Sequence, residues 1–201
     1  MGQLPTAIED VTAGWLAEVT GLDIQAASIE QIGVGVGVSS AVYRARLTGP
    51  SCPETVVVKL PALDDAAVFT STVLRMYLRE VGFFGGLADR APIRVPGCHH
   101  ASVDAETSQF VLVMEDLGDL RAVDQVAGMA ISDAERAIDG LAQWHATWWG
   151  QADELATSGL TVSLGDEIYK AVLPMVFAEG WAKLEAELEI PEVIRAVAPR
   201  W

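Results

Sequence analysis

The chain has 201 residues, 51% hydrophobic and 20% charged, which is enough apolar material for the core of one ordinary domain or two small lobes and too much for a disordered chain. Its 13 basic against 28 acidic residues give a net charge of −15; that balance repels phosphate backbones and argues against nucleic acid as a partner, while a small basic pocket for a single nucleotide remains compatible with it. No stretch free of Asp, Glu, Lys and Arg exceeds 13 residues, and the one over 31–43 carries three glycines, so no membrane span is expected.

The opening Met1-Gly2-Gln3-Leu4-Pro5 lacks the basic start and apolar run of a signal peptide, which makes the cytoplasm the expected location. Thr6 with Glu9 forms a capping-box pair, and Ile8, Val11, Trp15, Leu16 and Val19 then recur at helical spacing until Gly21, predicting an amphipathic first helix. Strand-like segments follow over 29–38, 41–47 and 55–60, the last two separated by the turn-rich 48–53, and read as an antiparallel meander. Val68, Phe69, Val73, Tyr77, Val81 and Phe84 restore a period of three to four and predict one helix ending near Gly85-Gly86. Two more strands are expected over 97–103 and 109–115, joined by a polar turn.

After Leu117 strand signals stop. Ser132 with Glu135 makes a second capping box, and Ile138, Leu141, Trp144, His145, Trp148 and Trp149 mark a helix with one heavily apolar face. A further helix is expected over 166–188, kinked at Pro174, and a short last one from Pro191. The fold class is therefore α+β: a five-stranded antiparallel sheet with one inserted helix, leading into a helical part.

Several residues stand out for their chemistry. Gly33, Gly35 and Gly37, followed by Ser39 and Ser40, form a glycine-rich loop that reads either as a flexible hairpin or as a phosphate cradle, because glycine lets backbone N–H groups approach phosphate oxygens. It is not a P-loop, since no Gly-Lys-Ser/Thr closes it. Lys59 is a lone cation within Val56-Val57-Val58-Lys59-Leu60, where an unpaired buried charge costs several kcal/mol and must find a partner or a ligand. Glu80, on the following helix, is the candidate partner, as a structural ion pair or as part of a site. Cys52 and Cys98 form no C-x-x-C, so neither a zinc site nor a disulfide framework is indicated. His99 and His100, adjacent on a predicted strand, point to opposite faces and read as surface rather than metal ligands. His145 reads as a packed core histidine, the tryptophans as core, and Asp116 and Asp119 as a solvated linker.

Glycine hairpin, strand lysine, helix glutamate and the acidic break Val113-Met114-Glu115-Asp116-Leu117 come in the order of the nucleotide-binding lobe of a protein-kinase-like fold. With Arg79-Glu80-Val81-Gly82-Phe83-Phe84 and Leu141-Ala142-Gln143-Trp144-His145-Ala146-Thr147-Trp148-Trp149, the chain resembles the aminoglycoside-phosphotransferase-like small-molecule kinases, in their ecdysteroid-kinase-like or choline-kinase-like branch. The resemblance implies an ATP-binding lobe over 1–117 and an incomplete helical lobe over 118–201. It implies that the glycine loop covers the ATP phosphates, that Lys59 pairs phosphate oxygens while Glu80 orients it, and that the backbone of Met114, Glu115 and Leu117 meets adenine. ATP and Mg²⁺ are the implied cofactors, and a small-molecule hydroxyl the acceptor in a complete form.

The departures matter as much. Such kinases carry a later His-Gly-Asp-x-x-x-x-Asn loop and a further metal-binding Asp, whereas this chain contains no Asn and none of its three histidines is followed by x-Asp. No catalytic or metal-binding residue is therefore assigned. The chain is expected to be a truncated, split or degenerate member, inactive alone, with an uncovered apolar face that favours a homodimer or a complementing chain. The rival expectation is a nucleotide-binding or protein-interaction module that transfers no phosphate.

Overall fold

The computed structural model describes residues 4–34, 39–124, 126–161 and 165–198. They form two compact units, Met1–Leu160 and Thr161–Trp201.

The first unit is built on a five-stranded antiparallel sheet: β1 (Ala26–Ile32), β2 (Ser40–Thr48), β3 (Thr55–Pro61), β4 (Cys98–Val103) and β5 (Phe110–Glu115), in the spatial order β1-β2-β3-β5-β4. The α+β class and the five strands agree with expectation. The predicted first strand runs 26–32 instead of 29–38, and residues 35–38 lie outside the described residues.

Alternation along the strands gives the sheet two covered faces. On one, Ala41, Tyr43, Ala45 and Leu47 of β2, Val56, Val58 and Leu60 of β3, and Val111 and Val113 of β5 are buried with Val11, Leu16 and Ile24. On the other, Phe110, Leu112 and Met114 are buried with Tyr77, and Val57, Val81 and Phe84 pack against them. β5 is paired on both edges and covered on both faces, which is why Phe110-Val111-Leu112-Val113-Met114 is uniformly apolar rather than alternating.

The helices correct several expectations. Thr6 donates from its amide and its hydroxyl to the Asp10 carboxylate, at 2.9 and 3.0 Å. The pair closes a 3-10 turn at Ile8–Asp10 instead of opening a helix. Helix α1 (Ala13–Thr20) starts later, where the Thr12 hydroxyl accepts the Trp15 amide at 3.1 Å, and it ends at Gly21 with φ +70°. The single helix expected through 68–86 is two. Asp64 caps α2 (Asp65–Val73) by accepting the Ala67 amide at 2.9 Å, and α3 (Met76–Gly86) follows after Arg75 turns left-handed at φ +52°. Only the α3 half of that apolar series reaches the core; Phe69 of α2 is 69% exposed.

Helix α4 (Ile131–Trp148) has Ala130 at its N-cap with no side-chain cap, so Ser132 and Glu135 lie inside the helix and form no box at its start. Trp144 and Trp148 are half-buried, with Trp144 near Phe83 at 6.0 Å and the Arg90 guanidinium 4.4 Å above the Trp148 ring. Ile138 and Leu141 are exposed, as expected of an uncovered face, and Trp149 at the C-cap is exposed as well, against the reading of the tryptophans as core. His145 is exposed too, against the expectation of a core histidine: in that stretch of α4 it is Trp144 and Trp148 that pack, against Phe83 and Arg90. A short α5 (Ala152–Thr157) follows, which no sequence signal announced. Helices α4 and α5 thus belong to the same compact unit as the sheet.

The second unit holds α6 (Glu167–Glu187), with Pro174 inside it, and α7 (Glu192–Val197), which starts after Pro191 as predicted. Within α6, Phe177 and Trp181 stack at 5.8 Å. Among the described residues no helix is long and apolar enough to cross a membrane.

Candidate functional site

Lys59 sits on β3 between inward-facing Val58 and Leu60, so alternation turns it to the face covered by α3. Its ladder partners are Val42 on β2 and Leu112 on β5. Tyr77, Val81 and Phe84 of α3 recur at helical spacing and dock on that face. Glu80, three residues after Tyr77, lies on the flank of the same stripe. The Lys59 ammonium donates to the Glu80 carboxylate in an ion pair, with the lysine side chain 18% exposed and the glutamate 32%. The lone cation of the apolar strand therefore has the partner that its setting demands, and enough exposure remains to meet an anion from solvent.

The glycine hairpin joins β1 to β2 at the same end of the sheet. Gly33 adopts φ +65°, a left-handed conformation that glycine takes without strain. Gly35 and Gly37 lie outside the described residues. Ser40 opens β2 opposite Pro61, and the Ser39 carbonyl accepts the Tyr77 hydroxyl at 2.7 Å. A cavity of about 320 Å³ is lined by Ile32, Gly33, Ser40, Val42 and, from the connection between β3 and α2, Ala62 and Asp64. Val42, one of its walls, is the ladder partner of Lys59.

At the far end of β5 the backbone is already engaged. The Glu115 amide donates to the Gly97 carbonyl at 2.7 Å, and the Leu117 carbonyl accepts the Leu120 amide at 2.9 Å. The Glu115 carboxylate accepts the Gly97 amide at 3.0 Å and pairs with Arg94. Met114 is buried beside Val57 on the α3 face. Of this group, an adenine edge would find the Glu115 donor and one lone pair of the Leu117 carbonyl taken.

Asp116 is not a solvated linker. Its side chain is 8% exposed and accepts Arg44 Nε at 2.6 Å, Arg44 Nη2 at 3.2 Å and the Gly118 amide at 2.9 Å. The Arg44 hydrogen bonds hold its carboxyl below the usual carboxylate range against the opposing effect of burial, and the same contact raises the Arg44 guanidinium. This fork ties β2, the strand returning from the glycine hairpin, to the exit of β5. Sequence reasoning missed it: Arg44 lies within the strand expected over 41–47, and nothing local pointed to a partner 72 residues away. A second cavity, of about 290 Å³, lies beside the fork, lined by Arg44, Arg46, Glu54, Thr55, Asp116 and Asp119.

Cys98, His99 and His100 stand on β4, with a register shift between Cys98 and His100. The His100 ring meets Trp15 edge-on at 5.9 Å, and burial pushes its imidazole below the ordinary histidine value. Among the described residues no three metal-ligating side chains come together. No family model, curated protein or solved structure matches the chain.

Proposed function

We propose that this chain is the nucleotide-binding part of an ATP-dependent small-molecule phosphotransferase and that by itself it binds ATP without transferring phosphate. The observation that supports this reading is the Lys59–Glu80 ion pair between the third strand and the helix that covers it, reached from a glycine hairpin one strand away. Phosphoryl transfer is catalysed by positioning and electrostatics. A strand lysine held by a helix glutamate, under a glycine-rich loop, is how the kinase class meets the nucleotide phosphates. Ile32, Val42 and Val57 share the face of Lys59 and offer an apolar bed for a base, while Lys59 supplies the cation.

Among the described residues no three His, Cys, Asp or Glu side chains come together, and no step is assigned to the metal. The chain has no Asn, and the His-Gly-Asp loop that would position a hydroxyl acceptor is absent from it. Transfer to an acceptor thus belongs to a complete form or a complementing chain.

The test is calorimetric titration of the chain and of Lys59→Ala with Mg-ATP. The wild type is expected to bind, and the variant at least about tenfold more weakly, the worth of one charge-assisted contact. Equal affinities, or no binding by the wild type at millimolar ATP, would remove the nucleotide reading. A protein-interaction module would then be favoured, on the strength of the exposed Ile138 and Leu141 of α4 and Trp149 at its C-cap.

A further inference from the structure

We propose that Arg44 and Asp116 are a positioning pair for the nucleobase: their fork closes the far end of the apolar bed and fixes, against that bed, the chain segment that leaves β5. The inference rests on the nucleotide reading above and gives a role to an ion pair which that reading does not use.

The rows of the sheet place the fork. Strand pairing sets Ile32, Val42, Lys59 and Leu112 side by side, and sets Glu30, Arg44, Val57 and Met114 side by side in a second row. The two rows are two residues apart along each strand, so both lie on the face that carries Lys59. Ile32, Val42 and Val57 make the bed, and Arg44, directly opposite Val57, borders it on β2. Beyond Arg44 the same face turns polar, with Arg46 opposite Thr55 in the following row.

The partner of Arg44 is not on a neighbouring strand. β3 lies between β2 and β5, and adjacent strands are about 4.8 Å apart, so the guanidinium crosses β3 to reach the exit of β5. It arrives with two contacts, Nε at 2.6 Å and Nη2 at 3.2 Å from the Asp116 oxygens, a geometry that sets direction as well as distance. The carboxylate also accepts the Gly118 amide at 2.9 Å, which folds the turn over 116–118 onto the guanidinium. The fit is close: a Cβ on Gly118 would lie 2.5 Å from Arg44 Nη2 and 3.0 Å from Asp116 Oδ1. Leu117, whose backbone the nucleotide reading sets against adenine, stands between those two residues. Among the described residues its amide donates to no protein acceptor. One link therefore joins an edge of the bed to the segment that holds this free donor.

Stability alone does not ask for two charges here. Val57 and Met114 are the neighbours of Arg44 in its row, and an apolar replacement of a desolvated pair is often neutral. What such a replacement lacks is a directional hold on the turn.

The experiment titrates wild type, Arg44→Met and Arg46→Met with Mg-ATP and with adenosine, and follows amide hydrogen exchange at Leu117 with and without ATP. Arg46 is the control for loss of charge: it lines the same cavity, is 63% exposed and meets Glu30 at 3.4 Å. Arg44→Met is expected to weaken ATP and adenosine alike by about tenfold, the worth of one hydrogen bond to the base, whereas Lys59→Ala should weaken ATP alone. ATP should protect the Leu117 amide in wild type and not in Arg44→Met. Arg46→Met should match wild type throughout. Gly118→Ala, which crowds the fork without removing a charge, decides the matter if Arg44→Met does not fold, and the same equal loss is expected of it. An unchanged adenosine affinity, a loss confined to ATP, an equal loss in Arg46→Met, or a Leu117 amide that ATP leaves unprotected in wild type overturns the proposal. Wild type that binds ATP but not adenosine leaves no base contact to position and overturns the inference alone. Wild type that fails to bind ATP overturns the nucleotide reading and this inference with it.

Discussion

Replacing Glu80 by Leu separates what the Lys59–Glu80 pair does for folding from what it does for binding. The lysine side chain is 18% exposed and the glutamate 32%, which places the pair between two regimes. Removing one partner of a fully buried pair costs about 3–5 kcal/mol, and an exposed pair is worth roughly 0–1. Partial solvent screening puts Glu80→Leu at roughly 1–3 kcal/mol, because the Lys59 ammonium is left on the apolar face beside Val57 without its counter-charge. In a chain of this size that corresponds to a fall of roughly 3–10 °C in melting temperature.

The double variant Lys59→Met with Glu80→Leu removes both charges and extends the cluster of Val57, Val81 and Phe84. It is expected to return to within about 1 kcal/mol of wild type, since apolar replacement of a desolvated pair is often neutral. Urea unfolding followed by circular dichroism measures each corner of the cycle, and calorimetry measures ATP binding by the same proteins. A stable double variant that no longer binds ATP would show a pair retained for its ligand. The reasoning is refuted if Glu80→Leu is as stable as wild type, or if the double variant is less stable than either single one.

Asp116→Asn should lower stability at pH 7 and change its acid dependence. The native carboxyl titrates below its unfolded value because Arg44 favours the ionised form, so its contribution is complete above the unfolded value and is lost as pH falls through the lower native one. The melting-temperature gap between wild type and variant should therefore narrow on acidification, and a gap constant from pH 7 to pH 2 would contradict it. Gly49→Ala should be more damaging than a surface change: a Cβ there would lie 1.8 Å from the Asp23 carbonyl oxygen and 2.9 Å from its carbon. Since the obstacle is backbone, the strand end must move, at a cost of about 1–3 kcal/mol; an unchanged thermal melt would show that the turn gives way freely.

The strands were legible because their signal is local. Period-two alternation marks β2, and an unbroken apolar run marks a strand covered on both sides, as β5 is. Lys59 was legible for a similar reason: a single charge among valines has few ways to be satisfied, and Glu80 is the one carboxylate in the helical stretch expected over 68–86. Helix starts were less legible. Thr6 and Thr12 offer the same hydroxyl, and the choice fell to Thr12 because the Asp10 carboxylate captured Thr6 in a 3-10 turn. Periodicity also continues unbroken from Val73 to Tyr77, across the left-handed Arg75 that divides α2 from α3.

What only the tertiary structure decided depends on residues far apart in the chain. Strand β5 is inserted between β3 and β4, and that order brings Asp116 to Arg44, turning an apparent linker carboxylate into the end of a fork. His145 on α4 and Trp149 at its C-cap belong to a pattern that looks half-buried, yet both are exposed. A sequence specifies which face of a helix is apolar, and whether that face is covered depends on what else packs there. The two hydrogen bonds of the Tyr77 hydroxyl, to the Ser39 carbonyl and from the Ala62 amide, belong to the same class: the apolar period identified the ring, and only the pairing of the ends of β2 and β3 brought both backbone groups to one oxygen.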